Sequence, residues 1–156
     1  KEHTGGLPHI LYMSPRGPVL CQEKARELAG HPHLVILCGH YEGVDQRLLD
    51  EYEAEEVSIG DYVLTGGELP AMILADAVSR MLPGVLSEEA CFTEESHFSG
   101  LLEYPQYTRP EVWRGRAVPS VLLSGHHGNI RAWRQEQALA VTAQNRPDLL
   151  EKYGKG

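Results

Sequence analysis

The residues with the clearest chemical meaning form one short segment, Ser58 to Ala71, which runs Ser-Ile-Gly-Asp-Tyr-Val-Leu-Thr-Gly-Gly-Glu-Leu-Pro-Ala. The pattern predicts a strand at residues 62–65, then a glycine turn, then a helix that begins at Glu68. Such a junction leaves backbone N–H and C=O groups free to hold a nucleotide-like ligand. The spacing matches neither G-x-G-x-x-G nor a phosphate loop. It therefore predicts a nucleoside-like ligand held by the backbone, and a tight turn without a ligand is the alternative.

The segments before this motif predict an α/β fold with a parallel sheet. Residues 10–13 and the continuously apolar residues 34–38 are predicted strands, and residues 22–29 and 44–52 are predicted helices. Strands that alternate with helices form parallel sheets, and ligands bind at the loops beyond the carboxyl ends of such strands. Those loops are residues 12–17, 39–43 and 59–67. We therefore expect the three loops to form one pocket.

The second half of the chain has a less regular pattern. Residues 68–82 predict a helix with so little polar surface that it belongs either to a subunit interface or to the centre of a core. Residues 87–99 are polar and predict a linker or a mobile loop. Residues 120–124 predict a short strand, and residues 130–144 predict a helix capped by the Gly-Asn pair before it.

Composition and charge are those of a globular chain. It has 156 residues, 42% hydrophobic and 23% charged, and no apolar run approaches the length of a membrane helix. Three widely spaced cysteines argue against a disulfide framework or a zinc ribbon and fit a reducing cytoplasm. The net charge of −8 is not typical of a nucleic-acid-binding protein, although residues 109–134 hold five arginines and one glutamate. That cluster indicates either phosphate contacts or a solvated surface.

Several strings of residues resemble one protein family from Ile10 to about Leu150. Besides residues 58–71, they are Leu11-Tyr-Met-Ser-Pro-Arg-Gly17, Cys38-Gly-His-Tyr-Glu-Gly43, Arg80-Met-Leu-Pro-Gly-Val-Leu86, Gly100-Leu-Leu-Glu-Tyr-Pro-Gln-Tyr-Thr-Arg-Pro110 and Val118-Pro-Ser-Val-Leu-Leu-Ser-Gly-His-His127. In this order they resemble the bacterial tRNA (guanine-N1)-methyltransferases, which are knotted, S-adenosylmethionine-dependent enzymes of the SPOUT superfamily. The resemblance implies methylation of guanine N1 in tRNA, at the guanosine immediately 3′ to the anticodon.

The resemblance also implies a domain organisation. Residues 1–86 would form a knotted α/β domain, with a parallel sheet, helices and a C-terminal trefoil-knot cofactor site, and its N-terminal part would be missing. Residues 87–100 would form a flexible linker, and residues 101–156 a small, mainly helical tRNA-binding domain with a short C-terminal end. Family members are homodimers whose active site lies at the subunit interface. The expected partners are therefore tRNA and a second copy of the chain, without a membrane.

Arg80 and Glu95 are the expected catalytic residues. Methyl transfer to guanine N1 needs a base for the N1 proton and a donor for the charge that develops on O6, which suits a guanidinium. Arg80 falls at the position of the family's catalytic arginine. Glu95 falls where most family members have the general-base aspartate, so it departs from the family by one methylene group. An ion pair at the helix end and a solvated carboxylate are the alternative interpretations of these two residues.

The remaining site residues also come from the resemblance, which implies that the backbone of Ile59, Tyr62 and Leu64 recognises the adenine of S-adenosylmethionine. The expected cofactor-binding residues are Tyr12, Ser14, Pro15, Gly39, Tyr41, Glu42, Gly43, Ser58, Ile59, Gly60, Asp61, Tyr62, Val63, Leu64, Gly66, Gly67 and Pro70. The expected tRNA-binding residues are Ser96, Arg109, Arg114, Arg131 and Arg134. The eight histidines lack carboxylate or cysteine neighbours at ligand spacing, so no protein-bound metal is expected. Mg²⁺ assists catalysis in the family, but no residue here identifies a site for it.

Two other functions stay open at this point. One is a related knotted methyltransferase that modifies a ribose 2′-oxygen, against which the Glu95 carboxylate and the string Tyr107-Thr-Arg-Pro110 argue. The other is a non-catalytic α/β module that binds nucleotides or RNA. The position of the methyl group on the product nucleoside separates the first from the leading interpretation, and cofactor binding without turnover would support the second.

Overall fold

The structure is a computed structural model that describes residues 8–86 and 95–153. The chain divides into two compact units, Lys1–Ser87 and Glu88–Gly156. In the described part of the chain, no helix is both long and apolar enough to cross a membrane.

The first unit contains a parallel three-stranded sheet. Its strands are β1 (His9–Met13), β2 (Leu34–Cys38) and β3 (Glu55–Val57), in the order β2-β1-β3. β1 lies in the middle, because residues of β1 pair in parallel with both neighbours: Leu11 is opposite Ile36 on one side and Glu55 on the other. The prediction of an α/β fold with a parallel sheet is confirmed.

Among residues 8–86, three helices accompany this sheet: α1 (Gln22–Ala29), α2 (Gln46–Glu51) and α3 (Glu68–Ser79). α2 begins two residues later than predicted because Asp45 is its N-cap, where a side-chain oxygen accepts a hydrogen bond from Arg47 N at 2.9 Å. The core joins sheet and helices through seven buried side chains: Leu11, Met13, Ala25, Leu28, Val57, Leu74 and Val78. Burial of a Leu, Val or Met side chain stabilises the fold by roughly 1.5–3 kcal/mol, so this cluster fixes the sheet against α1 and α3.

Two predictions on this unit are wrong. Residues 62–65 form an irregular loop rather than a strand, since Tyr62 N donates to Gly60 O at 2.9 Å in a turn, and Tyr62 and Val63 are exposed. β-type residues need a ladder partner and a half-buried face to form a strand, and the flanking glycines bend the chain away from both. α3 ends at Ser79 rather than Leu82, because Met81 and Leu82 donate to carbonyls only three residues back, as in a tightened last turn.

The second unit combines a hairpin with helices. Strands β4 (Val112–Trp113) and β5 (Arg116–Ala117) are antiparallel, and the helices within residues 95–153 are α4 (Ser120–Leu123), α5 (His127–Asn145) and α6 (Pro147–Tyr153). Thr142 lies at its centre: the buried Oγ1 donates to Ala138 O at 2.6 Å and accepts from Leu102 N at 2.9 Å. The bond from Leu102 N attaches the segment around the buried Leu101 to α5.

The pattern of this unit was partly misjudged from sequence. Residues 120–124 were expected as a strand, but residues 120–123 form the short helix α4, in which Leu122 N donates to Pro119 O at 3.0 Å. A short apolar run cannot be assigned to strand or helix by periodicity alone. α5 begins three residues before its predicted start, because Ile130 N already donates to His126 O at 3.0 Å.

Candidate functional site

The first unit has a pocket beyond the carboxyl ends of its three parallel strands. Its volume is about 310 Å³, and its walls are residues 12–16, 39–44, 57–59, 62–67 and Pro70. Each wall follows one strand, since β1 ends at Met13, β2 at Cys38 and β3 at Val57. The three loops that the sequence singled out therefore meet around one cavity. Every residue expected to bind a cofactor lines it except Gly60 and Asp61.

Glycines let the loops approach one another closely. A Cβ atom on Gly39 or on Gly43 would lie 2.9 Å from the Tyr12 hydroxyl oxygen, and Gly43 has a φ of +100°. A Cβ atom on Gly67 would lie 2.7 Å from Cys38 Cα and 3.0 Å from Gly39 N. The clash at Gly67 is with backbone, which cannot rotate away as a side chain can. Glycine is therefore required where the turn before α3 crosses the end of β2.

Ser58, which also lines the pocket, fixes the loop that includes Gly60. Its buried Oγ donates to Gly60 O at 3.0 Å and accepts from Gly60 N at 3.1 Å. The backbone of Ser58 is held as well, because Ser58 N donates to Pro18 O and Leu20 N donates to Ser58 O. Gly60 thus shapes the wall through this network although it does not line the cavity.

The backbone groups of the third loop differ in availability. Tyr62 N already donates a hydrogen bond to Gly60 O. By contrast, within residues 8–86 and 95–153 the N–H groups of Ile59 and Leu64 donate to no protein acceptor. Backbone N–H groups that lack a protein partner are suited to a polar ligand. Of the three residues expected to recognise an adenine through their backbone, two therefore have a donor to offer.

A hydrogen-bonded histidine–glutamate pair joins the second loop to the start of α3. His40 Nε2 and Glu68 Oε1 form a hydrogen bond, and a Cβ atom on Gly66 would lie 2.5 Å from Glu68 Oε2 and 2.8 Å from His40 Cε1. The pKa of Glu68 is lowered by a hydrogen bond from its own backbone N–H and by His40. Burial raises the pKa of the Cys38 thiol, and the negative charge of Glu68 raises it further. The pair links the two loops, because His40 and Gly66 also form a backbone bridge.

Arg16 holds the first loop in place. Its guanidinium donates to both carboxylate oxygens of Glu56, at 2.9 and 3.1 Å, and to Gln46 Oε1 at 3.2 Å. A bidentate arginine–carboxylate contact fixes orientation as well as distance. Sequence reasoning missed Arg16 and His40 as site residues, along with Met13, Val44, Val57 and Thr65. Both Arg16 and His40 stand inside strings that had been singled out, which is the signal that could have identified them.

The two expected catalytic residues lie outside this pocket lining. Arg80 is the C-cap of α3, half-buried, and its backbone N donates to Asp76 O at 3.1 Å. Glu95 is also half-buried, and its carbonyl accepts from Phe98 N at 3.3 Å. Arg80 belongs to the first compact unit and Glu95 to the second. Residues 87–94 of the expected linker lie outside the described residues.

The expected tRNA-binding residues are distributed over the second unit. Ser96 Oγ accepts from Glu103 N at 2.9 Å, so this hydroxyl has a structural role. The Arg134 guanidinium carbon lies 4.7 Å above the centre of the Tyr104 ring, and that of Arg114 lies 4.9 Å above the Trp113 ring. Arg109 and Arg134 line a cavity of about 960 Å³, and Arg131 is exposed on α5.

Metal ligands do not cluster in the described part of the chain: it contains no group of three or more His, Cys, Asp or Glu residues that could hold a metal ion.

Comparison with known proteins identifies the relatives of this chain. The family model described as tRNA (Guanine-1)-methyltransferase TrmD matches residues 2–152. Proteins named tRNA (guanine-N(1)-)-methyltransferase are similar: that of Ruminiclostridium cellulolyticum is 63% identical over 93% of this chain and 62% of its own length. Those of Alkaliphilus oremlandii and Lachnospira eligens are 59% and 53% identical, over 94% and 99% of this chain and 59% and 65% of their own lengths.

The match covers different shares of this chain and of its relatives. The chain spans about three fifths of the length of these curated relatives. The family model, however, covers nearly all of the chain. The chain therefore belongs to the tRNA (guanine-1)-methyltransferase family.

Proposed function

We propose that this chain contributes the cofactor pocket and the tRNA contacts of an enzyme that methylates guanine N1 in tRNA, at the guanosine immediately 3′ to the anticodon. The observation that carries the proposal is the pocket beyond the parallel strands, where three loops of one family's motifs meet around about 310 Å³. The relatives' names give the reaction.

The residues of the pocket fit S-adenosylmethionine. Gly39, Gly43 and Gly67 let the pocket loops approach one another, because a Cβ atom on each would lie 2.9 Å or less from another protein atom. Ile59 and Leu64 offer backbone donors for the adenine. Glu42 lines the cavity, and its carboxylate suits ribose hydroxyls or a cationic sulfonium. When bound, S-adenosylmethionine supplies an electrophilic methyl group. The work of the protein is to place guanine N1 in line with it, and such positioning can provide much of the rate.

Arg80 and Glu95 are proposed as the catalytic groups. Glu95 would accept the N1 proton while the N1–methyl bond forms and the sulfur–methyl bond breaks. Arg80 would donate hydrogen bonds to O6, where negative charge develops. A glutamate reaches one methylene further than the aspartate usual in the family, which the linker of residues 87–100 is expected to accommodate.

The exposed face of α3 supports a homodimer. Leu69, Met72 and Ile73 are 60%, 67% and 48% exposed, which leaves three large apolar side chains within one and a half turns in contact with water. A second copy of the chain would cover this face and bring the linker of one subunit to the pocket of the other. Light scattering at micromolar concentration tests this proposal, and a monomer would contradict it.

The finer features of the family complete the proposal. They are a trefoil knot formed by the three pocket loops within residues 1–86, a linker at residues 87–100, a tRNA-binding domain at residues 101–156, a cytoplasmic location and assistance by Mg²⁺. Close packing of two of these chain segments is seen at Gly17, where a Cβ atom would lie 2.4 Å from Glu56 C. One segment there passes directly against the backbone of another.

A methylation assay tests the reaction. The complete protein is incubated with anticodon stem-loops that carry G or A next to the anticodon, and the modified nucleoside is analysed by mass spectrometry. We expect a methylated base from the G substrate and nothing from the A substrate. A methyl group on the ribose would indicate a 2′-O-methyltransferase instead, and binding without turnover would indicate a non-catalytic module.

A further inference from the structure

The hairpin of the second unit leaves more than half of a tryptophan exposed. β4 and β5 pair Val112 with Ala117 and Trp113 with Arg116, around a two-residue turn in which Arg114 and Gly115 have φ values of +49° and +77°. Trp113 is 56% exposed. Burial of a tryptophan side chain is among the most favourable in free energy. A tryptophan that stays exposed on a regular hairpin therefore indicates a surface that binds a partner.

A groove runs beside this tryptophan. Residues 106–111, Trp113 and residues 116–118 enclose about 480 Å³, which we call the hairpin groove. It contains two aromatic rings, because Tyr107 lines it together with Trp113, and Tyr107 is 46% exposed. The guanidinium of Arg114 covers the Trp113 ring at 4.9 Å. Aromatic faces next to arginine are the elements from which proteins build sites for unpaired bases.

The charge around the groove is the reverse of that of the whole chain. The chain carries a net charge of −8, yet residues 106–118 include three arginines and one glutamate. Among residues 8–86 and 95–153, no carboxylate forms an ion pair with Arg109, Arg114 or Arg116. Three such cations on an acidic protein complement an anionic ligand, and phosphate is the anion that combines with a stacking base.

We propose that the hairpin groove binds an unpaired nucleotide of the RNA substrate, whose base stacks on Trp113 while Arg109 and Arg116 contact the flanking phosphates. The inference rests on the proposed function and assigns a structural element of the RNA to a defined surface. Duplex RNA does not fit this role, because its bases are stacked on one another and offer no face to a tryptophan. An acidic peptide would satisfy the arginines but would leave the aromatic rings without a role.

Tryptophan fluorescence tests the stacking directly. The chain has two tryptophans, so Trp133→Phe leaves Trp113 as the reporter. A short oligouridylate, which has no secondary structure, is titrated into this variant, and we expect saturable quenching. In the otherwise natural chain, Trp113→Ala should weaken oligouridylate binding about tenfold, within the range for loss of one stacked base. Trp113→Phe should restore most of the affinity, and circular dichroism checks that each variant is folded.

The arginine contacts are tested by salt dependence. Arg116→Gln should reduce the slope of log affinity against log salt by about 0.7, the value for one phosphate of a single strand. Arg47→Gln is the matched control, since Arg47 lies on α2 of the first unit and pairs with Asp45, and it should leave the slope unchanged. Equal oligouridylate affinity for the natural chain and Trp113→Ala would overturn the proposal. So would binding of poly-glutamate as tight as that of RNA.

Failure of this inference can be told from failure of the proposed function. If S-adenosylmethionine binds and the complete protein methylates guanine N1 but Trp113→Ala binds RNA normally, only the hairpin groove is wrong. If Trp113 is quenched and its alanine variant binds weakly while no N1-methylguanine is formed, the groove stands and the reaction must be reassigned.

Discussion

The two compact units present recognition surfaces of opposite construction. The pocket of the first unit is built largely from loop backbone, with glycines at the points of closest approach. Ser58 and Arg16, which also line it, hold the loops in place. The hairpin groove of the second unit is built from exposed aromatic and arginine side chains on a short antiparallel ladder. Ligand binding to a pocket built from backbone is weakened by substitutions that add atoms. Binding to a groove built from side chains is weakened by substitutions that remove them. This difference suits the two proposed ligands, a small cofactor in the first unit and a flexible polyanion in the second.

The largest expected effect comes from adding atoms to the pocket. Gly67→Val places a branched side chain where a Cβ atom alone would lie 2.7 Å from Cys38 Cα. We expect S-adenosylmethionine affinity to fall more than a hundredfold in calorimetry, while oligouridylate binding to the second unit is unchanged.

The matched control for this variant is Gly128→Ala. Gly128 lies in α5, where a Cβ atom would meet nothing within 4 Å, and alanine is the better helix former. Cofactor affinity should not change, and thermal stability should rise slightly. Normal cofactor binding by folded Gly67→Val would contradict a backbone-built pocket.

The next effect concerns a residue outside both surfaces. If Glu95 is the general base, Glu95→Gln in the complete protein should lower single-turnover methyl transfer by about a hundredfold, the scale of a lost proton-transfer group. Affinity for the cofactor should stay unchanged, because Glu95 does not line the cofactor pocket.

Two further variants define the role of this carboxylate. Glu95→Asp restores the residue usual in the family and should retain activity, and Glu94→Gln should have a much smaller effect than Glu95→Gln. Equal single-turnover rates for Glu95→Gln and the natural protein would remove Glu95 from the mechanism. Single-turnover measurements are needed because steady-state rates can report product release.

A smaller effect tests what stabilises the second unit. Thr142→Val keeps the shape of a buried side chain but removes the hydroxyl that bonds Leu102 N and Ala138 O. An unsatisfied donor costs about 1–3 kcal/mol, so the free energy of unfolding of this unit should fall by that amount. The exposed Thr108→Val is the control and should change stability by less than about 0.5 kcal/mol. A Thr142→Val change as small as that of the control would show that the hydroxyl is not needed.

The smallest effect concerns the thiol beside the pocket. Burial and the charge of Glu68 both raise the pKa of Cys38, so Glu68→Gln should lower that pKa and increase the thiolate fraction at neutral pH. We expect iodoacetamide to alkylate Cys38 up to about threefold faster, as followed by peptide mass spectrometry. The exposed Cys21 is the internal control, and its rate should not change.

The pH dependence of the same pair follows from the sign of its shift. The pKa of Glu68 is lower in the folded chain because its own backbone N–H and His40 favour the carboxylate. Its contribution to the stability of the folded chain is therefore present above the ordinary glutamate pKa. It is lost as the pH falls through the lowered value. The difference in the free energy of unfolding between Glu68→Gln and the natural chain should therefore disappear in acid. A difference that grows in acid would contradict the assignment.

Sequence alone predicted the parts of the molecule that depend on local pattern. β2 and α1 were predicted at their observed bounds, because an apolar run and a terminal glycine define them, and the three pocket loops follow directly from where strands end. Residues 62–65 were misassigned because their β-type side chains find no ladder partner. The pair of His40 and Glu68 was missed because it joins residues 28 positions apart. The hairpin was missed although Arg114 and Gly115, between two short β-type pairs, form a typical two-residue turn.

The most direct test of the pocket is hydrogen exchange with and without S-adenosylmethionine, in a metal-free buffer containing chelator. We expect saturable binding that slows exchange in residues 39–43 and 59–67, most of all at the amides of Ile59 and Leu64. Exchange in residues 106–118 should not change. Absence of binding by the folded chain, a need for metal, or protection confined to the second unit would contradict a cofactor pocket built from the backbone of the first.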